Sequence, residues 1–211
     1  MVSWAAAGGV VIIALGMVLT PGPNMVYLAS RSIAQGRRAG LISLTGVVAG
    51  FVVYLAAAAT GLSAVFAAVP AAFDVVKVAG ACYLLYLAWG MLRPGGRSPF
   101  APARLAPHSG RRLFLLGLTT NLLNPKIALM YAALLPQFIT ADAGPTWQQF
   151  LQLGAVQIAV AVTVNGAIVL GAAGISSWLQ ARPRVMQVQR VVAGSVLAVF
   201  AVKMVTTSTP R

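Results

Sequence analysis

Long runs almost free of charged side chains constrain this chain more than any other feature. Six runs approach or exceed the roughly 20 residues that a helix needs to cross the hydrocarbon core of a bilayer. They lack the alternation of polar and apolar residues that marks the strands of a membrane barrel. The sequence therefore predicts an all-α integral membrane protein with six spans, at residues 4–30, 39–61, 72–92, 113–138, 147–178 and 191–205.

The composition agrees with a lipid environment. Hydrophobic residues form 59% of the chain and charged residues only 8%, whereas soluble domains carry about a quarter charged residues. A net charge of +13 would suit a nucleic-acid partner, but the arginines form short clusters between apolar runs. We therefore predict that the chain lies in a lipid bilayer and does not bind nucleic acid. The N-terminal stretch has no cationic region of a secretory signal, so we expect it to be retained.

The distribution of cations predicts the topology. The segments 31–38, 93–112 and 182–190 hold eleven of the fifteen lysines and arginines. The positive-inside rule places these three loops in the cytoplasm. Both termini then face outward, as an even number of spans requires. We predict a multi-pass membrane protein with this orientation.

The loop 94–112 divides a single transporter domain, residues 1–211, into a repeat at about 1–93 and a second at about 113–211. Three spans in each half make the halves opposite in orientation, as in many secondary transporters. Faint sequence similarity supports the repeat. The first span reads TPGPNMVY and the fourth reads NPKIALMY, and each has a proline six residues before a tyrosine.

Prolines in these two motifs predict that the first and fourth helices are broken, at PGP and NPK. Proline removes a helical hydrogen bond, and the freed backbone groups must line a cavity or find other partners. The alternative is a kink that only shapes packing. Lys126 favours the cavity, because a lysine near the bilayer centre costs at least about 3 kcal/mol unless it is paired, solvated or used. The predicted substrate-binding residues are Thr20, Pro21, Gly22, Pro23, Asn24, Asn124, Pro125 and Lys126.

These motifs resemble the lysine/threonine exporter (LysE/RhtB) family of bacterial amino-acid exporters. The resemblance extends through GRRAG at 36–40, VKVAGACYLLYLAWG at 76–90 and LPQF at 135–138. It implies six spans in the bacterial inner membrane and efflux from the cytoplasm, energised by an ion gradient that is usually of protons. The chain departs from the family pattern at Phe51, where an acidic residue often follows the glycine that corresponds to Gly50. The departure counts against a cationic substrate, or a coupling mechanism, that depends on this carboxylate.

Other polar and small residues allow two interpretations each. Asp74 and Lys77 are candidates for ion coupling, or they pair and extend to the outer interface. Gln157 and Asn165 lie eight apart on one helical face and either line the pathway or, as we favour, bond to neighbouring helices. Gly46 and Gly50 predict close helix packing.

Function follows from the charges that the spans contain. An intramembrane enzyme would need paired catalytic groups, and a metal-ion efflux protein would need clustered carboxylates, histidines or thiolates. The spans contain neither, so we predict no catalysis, metal or cofactor. A structural membrane subunit would leave the breaks and Lys126 unexplained. The sequence therefore predicts export of an amino acid, with a neutral side chain favoured, and leaves the solute, the coupling ion and homo-oligomerisation open.

Overall fold

The computed structural model of the 211-residue chain describes residues 2–20, 22–61, 78, 81–82, 85–86, 88–96, 105–140 and 143–206. Helices account for nearly all of this part of the chain, and no strand occurs in it. Seven α-helices have defined bounds: α1 Trp4–Leu19, α2 Pro23–Gln35, α3 Arg37–Ala59, α4 Gly110–Leu122, α5 Pro125–Leu129, α6 Thr146–Gln180 and α7 Pro183–Thr206. A π-helical turn Met130–Leu134 and a 3₁₀ turn Leu135–Phe138 continue α5.

The first predicted break separates α1 from α2. Helix α1 ends before Thr20, which has extended backbone angles and bonds back to the carbonyl oxygen of Gly16. Helix α2 begins with Pro23. At this position the missing N–H of proline costs no hydrogen bond, because the first N–H groups of a helix have no partner within it. The two helices are inclined by 56°, so this break is confirmed.

The second break, between α4 and α5, is also confirmed, with an inclination of 50°. Leu123 ends α4, and Asn124 has extended backbone angles immediately before Pro125. The proline opens the new helix, as at the first break.

Glycines let α3 and α4 pack closely. A Cβ atom at Gly46 would collide with the carbonyl oxygen of Phe114, and one at Gly117 would collide with the carbonyl oxygen of Ser43. Gly50 lies against the side chain of Asn121. The predicted packing role of Gly46 and Gly50 is therefore confirmed. Helix α3 also packs on α2 and α6, and α6 covers both α1 and α2.

Length and hydropathy identify α3 and most of α6, Thr146–Trp178, as helices able to cross a membrane. Each bent pair adds one more if it counts as a single span, which gives two to four in the described residues. The predicted sixth span, 191–205, lies within α7. Most of the predicted third span, 72–92, falls outside the described residues. The plan of six spans in two inverted repeats therefore stays a prediction.

Candidate functional site

A cavity of about 40 Å³ lies between the two broken helices, and residues of α3 and α6 also line it. Such a volume has room for a few water molecules. Most of its wall is apolar. The polar side chains that line it are Thr20, Asn24, Asn124, Lys126, Gln157 and Asn165.

The structure places five of the predicted site residues in this cavity wall: Thr20, Gly22, Asn24, Asn124 and Lys126. Pro23 and Pro125 are buried beside it as the first residues of α2 and α5. Pro21 and the two predicted coupling residues, Asp74 and Lys77, lie outside the described residues.

Lys126 bridges the two breaks. Only 4% of this residue is exposed, and its Nζ donates hydrogen bonds to the carbonyl oxygens of Met17, at 2.6 Å, and Thr20, at 2.8 Å. These carbonyls lie at the C-terminal end of α1, where intrahelical donors run out and the helix dipole is negative. Helix α1 has no basic residue of its own in its last turn. The ammonium group of Lys126 therefore compensates the end of a helix to which it does not belong.

Gly22 makes room for this contact. A Cβ atom at Gly22 would lie 3.3 Å from both Cδ and Nζ of Lys126. That distance is tighter than ordinary van der Waals contact, so the lysine side chain would have to shift by a few tenths of an ångström to admit a larger residue. The glycine thus lets the side chain of Lys126 pass across the break.

Asn124 closes the N-terminus of α5. Its Oδ1 accepts a hydrogen bond from the backbone N–H of Lys126 at 3.1 Å. Its carbonyl oxygen accepts from the N–H groups of Ile127 and Ala128. These bonds use the first backbone donors of the helix, which are otherwise unsatisfied. At α5 the positive group directed at the cavity is therefore the lysine side chain rather than exposed N–H groups.

Asn24, in the first turn of α2, differs from Asn124. It is 7% exposed, and its Oδ1 has no hydrogen-bond partner in the described part of the chain. A buried acceptor without a donor is costly and is rare in native structures. Because Asn24 lines the cavity, a donor group of a ligand can satisfy it there.

Helix α6 adds Gln157 and Asn165 to the wall. The Oε1 of Gln157 accepts the hydroxyl proton of Tyr131 at 2.7 Å, and Nδ2 of Asn165 donates to the carbonyl oxygen of Ala161 at 2.8 Å. Gln157 therefore bonds to a neighbouring element, as we favoured, whereas Asn165 bonds within its own helix, and both residues also line the cavity. Sequence reasoning left them out of the site, although their spacing on one helical face signalled a shared environment.

Phe51 forms part of the apolar wall and is 2% exposed. The position at which the resemblance leads us to expect an acidic residue therefore lines the cavity. Among the described residues that line the cavity, Lys126 is the one charged side chain. Across the described residues, no three His, Cys, Asp or Glu side chains are grouped closely enough to hold a metal ion.

Comparison with known proteins gives a family and several relatives. The model of the family described as LysE type translocator matches residues 15–208. A homoserine/homoserine lactone efflux protein of Salmonella typhimurium is 32% identical over 162 residues, which cover 77% of this chain and 78% of the relative. Leucine efflux proteins of Salmonella choleraesuis and Salmonella paratyphi A are each 27% identical over 197 residues, covering 92% of this chain and 91% of theirs. No solved structure shows significant similarity to this one.

Proposed function

Since the chain belongs to the family of LysE type translocators, we propose that it is a secondary active exporter of amino acids or their close derivatives. The observation that carries the proposal is the position of Lys126. A buried ammonium group lies in a cavity between two broken helices, and broken helices in the two halves of a transporter mark its substrate site. The proposed site comprises the eight residues predicted from the sequence.

A substrate with one carboxylate and one ammonium group matches the charges of this cavity. Lys126 binds the carboxylate, and backbone carbonyls at the end of α1 together with Asn24 bind the ammonium group. Charged groups require such partners, because their transfer into a low dielectric is otherwise prohibitive. The names of the relatives, efflux proteins for homoserine, homoserine lactone and leucine, support an amino acid or derivative as the solute.

We further propose that the side chain of the substrate is neutral. Lysine or arginine brings a second cation, which would need a carboxylate in the cavity. No acidic residue lines the cavity among the described residues, and Phe51 occupies the position at which the resemblance leads us to expect an acidic residue. A dibasic amino acid would therefore leave a buried positive charge without a partner.

Transport of an amino acid also requires the cavity to enlarge. A volume of about 40 Å³ holds a few water molecules but not an amino acid. Outward movement is proposed to be driven by the proton gradient, with Asp74 and Lys77 as the coupling candidates.

The exporter proposal is tested by feeding dipeptides to bacteria with and without the protein, in a strain deleted for its own exporters. Intracellular peptidases release the amino acids, and their accumulation inside and outside the cells is followed by mass spectrometry. We expect cells that make the protein to clear neutral residues such as threonine, homoserine or leucine. Clearance of lysine and arginine alone would overturn the neutral preference, and equal accumulation of all amino acids in both strains would overturn the exporter proposal.

The proposed topology is a multi-pass inner-membrane protein with both termini outside, and reporter fusions test it. An enzyme that is active only outside the cytoplasm should work when it is fused at the C-terminus or near Asp142. It should be inactive when fused at Arg104 or Arg182, because these arginines belong to the loops predicted to stay inside. Activity at Arg104 would contradict both the orientation and the inverted repeat.

A further inference from the structure

The C-terminal end of α1 already binds an ammonium group. The Nζ of Lys126 has the chemistry of the α-ammonium group of an amino acid, since each carries a positive charge and donor protons. Two carbonyl oxygens, those of Met17 and Thr20, accept from Nζ at 2.6 and 2.8 Å. Lys126 comes from α5, on the far side of the second break. The arrangement therefore resembles a bound ligand that is tethered to the protein.

Asn24 supplies an acceptor that this tethered ammonium leaves unused. Asn24 lines the same cavity, and its Oδ1 is buried and has no donor within the described residues. An α-ammonium group has three donor protons. The carbonyls of Met17 and Thr20 can take two of them, and Oδ1 of Asn24 is an acceptor for the third. The ammonium group of a free substrate molecule can therefore donate to all three acceptors, whereas the tethered lysine leaves Oδ1 of Asn24 without a donor among the described residues.

We propose that the carbonyl end of α1, together with Oδ1 of Asn24, is the binding site for the ammonium group of the substrate, and that Lys126 occupies it until the substrate arrives. This proposal rests on the proposed function. On binding, the ammonium group of the substrate replaces Nζ of Lys126 on the two carbonyls. The displaced Nζ then binds the carboxylate of the same molecule. The substrate thus inserts between α1 and α5, and both of its charges and both groups of the protein have partners.

The proposed exchange requires a substrate that has both an ammonium group and a carboxylate. An amine without a carboxylate would displace Lys126 and leave its ammonium group buried without an anion. A carboxylate without an amine would draw Lys126 away and leave the carbonyls of α1 without a donor. Only a molecule that carries both groups avoids a buried unpaired charge or acceptor.

The two halves of leucine separate these contributions. Isopentylamine is leucine without its carboxylate, and 4-methylpentanoate is leucine without its ammonium group. Binding of all three compounds is measured by titration calorimetry on purified wild-type protein and on Lys126→Met. That variant keeps the length of the side chain and removes the internal competitor.

We expect Lys126→Met to bind leucine at least about tenfold more weakly than the wild type, because charge-assisted hydrogen bonds to the carboxylate are lost. Isopentylamine should change in the opposite direction and bind the variant about tenfold or more tightly. 4-Methylpentanoate should not bind the variant. If isopentylamine binds Lys126→Met no more tightly than it binds the wild type, the proposed ammonium site is wrong.

Asn24→Leu is the second variant, and it decides the question if Lys126→Met does not fold. It preserves the shape of the side chain and removes the third acceptor, so leucine and isopentylamine should both bind more weakly, by about tenfold. The matched control is Asn121→Leu, because Asn121 is also buried with an unpartnered amide in the described residues but does not line the cavity. It should leave both affinities unchanged. Unchanged binding in Asn24→Leu would contradict the proposal.

The outcome for the proposed function is read separately. Suppose that isopentylamine binds Lys126→Met more tightly than the wild type, but the wild type exports no amino acid from cells. That result would support the ammonium site and reject the exporter proposal. Export of leucine by the wild type, without the inverted response of the amine, would retain the exporter and reject the site.

Discussion

The two broken helices carry similar motifs, but their polar groups are satisfied in opposite ways. At the first break, the terminal carbonyls of α1 accept a cation from another helix, and Gly22 gives α2 no side-chain cap. At the second break, Asn124 caps α5 from within the break. The terminal carbonyl of Leu122 on α4 accepts the neutral hydroxyl of Tyr54 at 2.7 Å. The first break thus provides carbonyl oxygens that bind a cation. The second break is capped internally and carries the lysine that provides this cation.

This difference shows why a broken helix is not by itself a binding site. A break creates unsatisfied backbone groups at two helix ends, and the local sequence decides whether they are satisfied internally. Asparagine immediately before the proline satisfies the N–H groups of α5. At the first break a glycine stands in that position, and Asn24 follows the proline with its oxygen unpartnered among the described residues.

The largest effect is expected from removing the charge that links the breaks. Lys126→Met should lower the export rate about a hundredfold or more, because loss of one partner from a buried charged contact costs about 2–5 kcal/mol. The measurement is efflux of the neutral amino acid found in the dipeptide assay, normalised to the amount of protein in the membrane, which should not change. Arg112→Gln, which removes an exposed cation from the first turn of α4, is the control and should export normally. Full activity of Lys126→Met would show that the second break does not supply the charge.

Proline removal should affect the two breaks unequally. With Pro21 and Pro23 both replaced by alanine, no side-chain cap remains to keep the break open, so α1 and α2 can join and fill the cavity. We expect export to fall about tenfold, a change that corresponds to ~1.4 kcal/mol, with normal membrane insertion. Pro125→Ala should impair export less, because Asn124 still caps α5. Efflux assays compare the wild type, the double variant and Pro125→Ala. Wild-type transport by the double variant would show that the first motif only shapes helix packing.

Stability should respond more strongly to replacement of Asn124 than to replacement of Asn24. Asn124→Ala removes the cap of α5 and should lower the free energy of unfolding by about 1–2 kcal/mol. Asn24→Ala removes an acceptor that has no hydrogen bond in the described residues, so the loss should be smaller. Thermal unfolding of both variants in the same detergent makes the comparison. Equal destabilisation would mean that the two asparagines have equivalent structural roles.

The smallest effect concerns the neutral contact at the second break. Tyr54→Phe removes the hydroxyl bonded to the carbonyl of Leu122 and should cost about 1 kcal/mol of stability. Its ring, stacked on Tyr131 with centroids 5.7 Å apart, stays in place. The substrate concentration for half-maximal export should not change, because this contact lies outside the cavity wall. A large change in that concentration would extend the site to the end of α4.

Much of the site was predictable because proline and buried charge have strong local consequences. Proline cannot continue a helical hydrogen-bond ladder, so both breaks followed from their motifs. A lysine inside an apolar run indicated a site because its burial is costly without partners. Five of the eight predicted residues line the cavity. The roles of Gln157 and Asn165 were less certain, because a helical face does not reveal which neighbour it meets.

The sequence by itself determined that the chain is helical, membrane-embedded and broken at two proline motifs, because hydropathy and proline geometry act over short distances along the chain. Only the tertiary structure decided what each break does. The contact of Lys126 with Met17 joins residues 109 positions apart, and it depends on how α1, α5 and Gly22 pack together. Which groups meet over such separations depends on how the helices pack. Packing therefore made one motif the source of the carbonyl acceptors and the other the source of the ammonium donor.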